Sequence, residues 1–147
     1  MRRLAITAVA CLLMSGFVEG SVTRTDEEQR IYDMFMGYAR CMELRDIRCV
    51  SGYIADDFIQ HNPRLQPSGK ESILKYLEDL WARQRKKSAE IRTESVMVDG
   101  NHVVWLRSIQ LPEPQDSTAS YEAFMIDIFR VENGKLAEHW DTGRLED

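Results

Sequence analysis

The chain has 147 residues, 44% of them hydrophobic and 29% charged, and a formal net charge of -5. That is the size of one domain with ample apolar content for a core, and 8 Gly with 4 Pro excludes collagen-like and low-complexity classes. The acidic balance lacks the basic footprint that phosphate binding needs, so no nucleic-acid partner is expected.

Met1-Arg2-Arg3, the apolar run from Leu4 to Met14 and then Val18-Glu19-Gly20 read as a secretory signal peptide over residues 1–20. The run is too short to span a bilayer comfortably, so cleavage near Ser21 is expected rather than anchoring. Lipid attachment at Cys11 fits poorly, because the apolar run continues past it. The mature domain is then 21–147, secreted or periplasmic, free of the membrane and carrying a net charge of -6. Export leaves Cys41 and Cys49 as an even pair in an oxidising compartment. Two readings stand: a disulfide between the end of one helix and the start of the next, or two small buried hydrophobes.

Thr25-Asp26-Glu27-Glu28 is a capping box that opens a helix with Ile31, Phe35, Tyr38 and Met42 on one stripe. A short helix is expected over Val50 to Asp56, then a brief strand from Phe58 to His61 and a loop between Pro63 and Pro67. Ser68-Gly69-Lys70-Glu71 reads as a second capping box, for a helix with Ile73, Leu77, Leu80 and Trp81 inward. Arg83, Arg85, Lys86 and Lys87 suit its C-terminus. The remainder reads as extended: Ile91 to Val98, Val103 to Ile109, Tyr121 to Val131 and Leu136 to Thr142. Asp99-Gly100-Asn101 and Glu132-Asn133-Gly134 supply hairpin turns. Helices followed by antiparallel strands define an α+β domain in which helices cover one face of a curved sheet.

The chemistry concentrates in the last hairpin. Phe124 to Phe129 is apolar on both faces except for Asp127, and an ionised carboxylate there needs pairing, hydrogen bonds or a wet cavity. A two-residue Asn133-Gly134 loop would set Asp127 opposite Trp140; a three-residue loop would set it opposite His139. The second is favoured because it sorts the faces. It puts Phe124, Ile126, Ile128, Leu136 and Trp140 on one side, and Ala123, Met125, Asp127, Phe129, Ala137, His139 and Asp141 on the other. Two close carboxylates beside an imidazole suit general acid–base work, with one carboxyl pushed upward toward working pH. A structural ion pair of Asp127 with His139 is the plainer alternative.

Gln60-His61-Asn62-Pro63 ends its strand abruptly, and its amides and imidazole are candidates for orienting a polar ligand, or simply a turn. A metal site built from His61, Asp127, His139 and Asp141 lacks the spacing of zinc motifs, and none is expected.

Tyr53-Ile54-Ala55-Asp56-Asp57-Phe58-Ile59-Gln60-His61-Asn62-Pro63, then Gly69-Lys70-Glu71, resembles SnoaL-like polyketide cyclases of the nuclear-transport-factor-2-like superfamily. So does the run from Ile126 to Asp141. The resemblance covers most of residues 25–142 and implies a cone-shaped α+β barrel, helices closing a curved antiparallel sheet around a hydrophobic pocket. It also implies cofactor-free acid–base chemistry. Asp141 matches the general acid/base, Asp127 its partner on the preceding strand, and Gln60, His61 and Asn62 pocket-lining positions. The expected activity is that of a cyclase, isomerase or hydrolase acting on a small hydrophobic carbonyl compound, with His139 tuning the acids. A non-catalytic binding module for a similar ligand is the alternative, and a homodimer through the apolar outer sheet face is expected with either.

Overall fold

Thr25 caps the first helix as its spacing predicts. In a computed structural model describing residues 23–63, 65–84, 91–116 and 118–141, helix α1 spans Asp26–Leu44. The Thr25 hydroxyl accepts from the Glu28 N–H at 3.2 Å, and the Glu28 carboxylate accepts from the Thr25 N–H at 2.8 Å. Its inward stripe buries Ile31, Phe35 and Tyr38. Both the signal-peptide segment and the cations Arg85, Lys86 and Lys87 lie outside the described residues.

Helix α2 covers Ile47–Tyr53, three residues ahead of expectation. The cause is Asp46, whose carboxylate accepts from the Arg48 and Cys49 N–H groups at 3.1 Å each and so fixes the start. Cys41 and Cys49 are joined in a disulfide with their Cα atoms 5.6 Å apart, tying α1 to α2. A bridge over so short a loop restricts the unfolded chain by roughly 2–3 kcal/mol. Urea unfolding of the Cys41→Ser/Cys49→Ser double variant should show that loss.

Strand β1 (Ile54–Gln60) begins directly after α2, four residues before the expected strand. Helix α3 spans Lys70–Gln84. Its N-cap is Gly69, whose carbonyl accepts from the Ile73 N–H at 3.1 Å. Ser68 instead accepts the Gln60 N–H at 2.7 Å, so the expected second capping box is corrected: the hydroxyl ties the loop to β1.

Strands β2 (Ile91–Asp99), β3 (His102–Pro112), β4 (Ser120–Glu132) and β5 (Lys135–Asp141) follow. The five-stranded sheet has the order β1-β5-β4-β3-β2. Its later strands pair antiparallel, and β1 joins β5 in parallel. The fold is therefore α+β, with a curved sheet that does not close. The core lies between α1 and the inner sheet face: Phe35 packs edge-on against Trp105 at 5.5 Å and at 5.4 Å from Phe129.

The last hairpin corrects both expected registers. Asn133 and Gly134 have φ of 50° and 71°, the left-handed pair of a two-residue turn, and Glu132 pairs with Lys135. The pairing then shifts between Arg130 and Val131, so that Phe129 faces His139 and Asp127 faces Asp141. One extra residue on β5, a bulge at Ala137, produces this shift. The two-residue turn sets Leu136 opposite Val131 on the inner face, where it is fully buried, and the bulge then brings His139 and Asp141 to that same face.

Candidate active site

Alternation along β4 brings Val131, Phe129 and Asp127 inward and buried, then Met125 and Ala123 inward but half-exposed. On β3 the corresponding row is Val103 and Trp105, buried, then Arg107, Ile109 and Leu111, half-exposed. Asp127 thus stands where the sealed core gives way to an apolar, partly open end of the same sheet face. Although only 5% of its surface is exposed, it is fully partnered. Oδ1 accepts from His139 Nε2 at 3.0 Å, and Oδ2 accepts from Arg107 Nε at 3.0 Å and from Arg107 Nη2.

One carboxyl of the pair is expected from the sequence to be pushed upward, and this pairing shows that it is not Asp127. Burial pushes its pKa up, but the hydrogen bond from His139 and the charge of Arg107 outweigh it and hold the group below the usual carboxylate range. Arg107 is the residue the sequence reading missed. It reaches Asp127 from the strand on the far side of the hairpin, and its guanidinium lies 4.2 Å above the Trp105 ring.

His139, 8% exposed, is clamped at both nitrogens. The Gln60 side-chain oxygen accepts from the Asn62 N–H at 3.0 Å, which turns the amide nitrogen of Gln60 toward His139 Nδ1 at 2.8 Å. Nδ1 therefore accepts, Nε2 carries the hydrogen, and the ring is the neutral tautomer that donates to Asp127. Phe129 stacks on it at 4.4 Å and 14°. With both nitrogens engaged, His139 positions Asp127 and has no ring atom to offer a substrate.

Asn62 donates its side-chain N–H groups to Asp141 Oδ1 and Oδ2 at 2.8 and 3.0 Å. Asp141 is half-buried and stands across from Asp127 in the β4–β5 pairing. Gln60, Asn62, Asp127, His139 and Asp141 are thus brought into one inner-face cluster. His61 is not. It lies across the sheet, stacked on Trp140 at 4.6 Å and bonded to Glu138 Oε2 at 2.8 Å.

Tyr38 also joins the cluster unforeseen, its ring 6.3 Å from Trp105 and 5.7 Å from Phe129. Burial, and then the nearby Asp127 charge, push its phenol well above the ordinary value, so it stays protonated. Two cavities lie elsewhere: one of about 440 Å³ between the start of α1 and the turns at Gly100 and Asn133, and one of about 480 Å³ between α2 and α3.

The SnoaL-like domain family matches residues 36–139, and the chain belongs to that family. Solved structures agree in fold. An LEH-like epoxide hydrolase of M. tuberculosis superposes with a TM-score of 0.58 at 17% identity, over 80% of this chain and 81% of that one. A proposed polyketide cyclase from Bacillus cereus gives 0.61 at 19% identity, over 81% and 77%. A nuclear-transport-factor-2-like protein from Burkholderia pseudomallei gives 0.58 at 13% identity, over 76% and 88%. A comparison with curated proteins gives no match.

Proposed function

We propose that this protein is an exported, cofactor-independent acid–base enzyme that moves a proton on a small hydrophobic carbonyl compound, with Asp141 as the proton-carrying group. The reaction is of cyclase, isomerase or hydrolase type. The observation that carries this reading is the division of labour between the two carboxylates. Asp127 spends both oxygens on His139 and Arg107 and is fixed as an anion, whereas Asp141 is aimed by a neutral amide beside the partly open apolar end. Ile109, Leu111, Ala123 and Met125 supply the greasy wall for the ligand. The test is deuterium exchange at the α-carbon of a panel of small apolar ketones, followed by proton NMR, in the native chain and in Asp141→Asn.

The Cys41–Cys49 bridge supports an oxidising, extracytoplasmic location. Among the described residues no helix is long and apolar enough to cross a membrane. The outer sheet face exposes Phe124 (59%), Met97 (51%), Ile126 (41%) and Ile128 (36%), large apolar side chains on neighbouring strands of the kind that interfaces cover. Its flanking charges are already spent on one another, Glu138 with His61 and Arg130, which suits a second copy better than a charged partner. A homodimer through this face is therefore part of the proposal. Phe124→Glu/Ile126→Lys should sediment as a monomer where the native chain sediments as a dimer.

A further inference from the structure

Two polar atoms in the cluster make no hydrogen bond among the described residues. Arg107 spends Nε and Nη2 on Asp127, which leaves Nη1 without a hydrogen-bond partner among the described residues. The Tyr38 hydroxyl likewise makes no hydrogen bond among them, although the residue is only 5% exposed. Neither is sealed off: among the described residues, Arg24 Nε is the single buried side-chain nitrogen or oxygen lacking a partner. Nη1 and the phenol oxygen therefore border open space, and both belong to side chains packed against Trp105, on the inner face of the sheet.

A guanidinium edge and a protonated phenol are both donors. The carboxylate that Arg107 holds already accepts from Arg107 and His139, so the remaining donors are available to an acceptor from outside. Donors fixed by packing cost no reorganisation when charge develops on a ligand atom, and in a water-poor site they act strongly.

We propose that Arg107 and Tyr38 form an oxyanion-gripping pair, and that the ligand presents to them an oxygen bearing full or developing negative charge, with its apolar body along the Trp105 side of the open end. The inference rests on the acid–base reading for its chemistry, because proton removal at Asp141 would generate an enolate oxygen that needs such a grip. A permanent carboxylate on the ligand would use the same donors.

The experiment measures dissociation constants of 4-nitrophenolate and nitrobenzene, a charged and a neutral probe of nearly the same shape. A second pair, benzoate and benzamide, separates a carboxylate ligand from an enolate-like one. The native chain should favour 4-nitrophenolate over nitrobenzene by roughly tenfold or more, as charge-assisted bonds imply. Arg107→Lys keeps a cation for Asp127 but loses the fork, and should cut the preference to below about a third. Tyr38→Phe should lower it several-fold, with the fold checked by thermal unfolding. Asp141→Asn removes a neighbouring negative charge and should keep or strengthen the preference while ketone exchange is lost, so that a failed acid–base reading and a failed grip are told apart. No preference in the native chain, or a full preference kept by folded Arg107→Lys and Tyr38→Phe alike, overturns the proposal.

Discussion

Asparagine at position 141 should slow ketone α-exchange by roughly a hundred- to ten-thousandfold, the range that one placed acid or base contributes. The substitution is nearly isosteric and can still bond with the Asn62 amide after a flip, so folding should change by less than about 1 kcal/mol. Probe binding should persist, because the apolar wall of Ile109, Leu111, Ala123 and Met125 is untouched. Exchange equal to the native rate would show that the proton travels by another group. A variant that unfolds instead would make the carboxylate structural.

Asp127→Ala is expected to do the opposite, costing stability first. It strips the counter-charge from Arg107 and the acceptor from His139, both inside a largely buried cluster. Breaking such a pair from one side typically costs about 3–5 kcal/mol. Urea unfolding at neutral pH measures it. The same pairing predicts the pH response. The folded-state pKa of Asp127 lies below its ordinary 3.8, so its contribution is complete above about that pH and is lost as pH falls through the lowered value. The native chain should therefore lose stability in acid, and Asp127→Asn should lack that part of the transition. An acid limb of equal size in both chains would show that Asp127 is not its source.

The inward side of the last hairpin was readable because parity alone decides it. The favoured register and the real one differ by two positions at the cluster, so Asp127, His139 and Asp141 share a face in both. The Ala137 bulge was not readable, since a two-residue turn and a later extra residue leave no local mark; the turn moved Leu136 inward, and the bulge kept His139 and Asp141 there. Arg107 was hidden for a different reason. A charged residue in a strand looks solvent-facing, and only the pairing of β3 with β4, set across a separate loop, lays it beside Asp127. The clue available was its phase with Val103 and Trp105. His61 was grouped with Gln60 and Asn62 as one polar cluster without applying strand alternation, which from the buried Phe58 and Gln60 points the next residue outward. Tyr38 was read correctly as core, but its unsatisfied hydroxyl became visible only with neighbours in place.

The parallel edge formed by β1 and β5 fixes when the polar cluster can exist. Gln60 meets His139, and Asn62 meets Asp141, across 79 positions of chain in each case. Contacts so distant in sequence form late, after the entropy of closing a long loop has been met. During biosynthesis the N-terminal helices and first strand must wait for the final segment before any of these four side chains finds its partner. A nascent chain stalled before residue 139 would hold half a site, with the amide of Gln60 unanswered and nothing for Asn62 to aim.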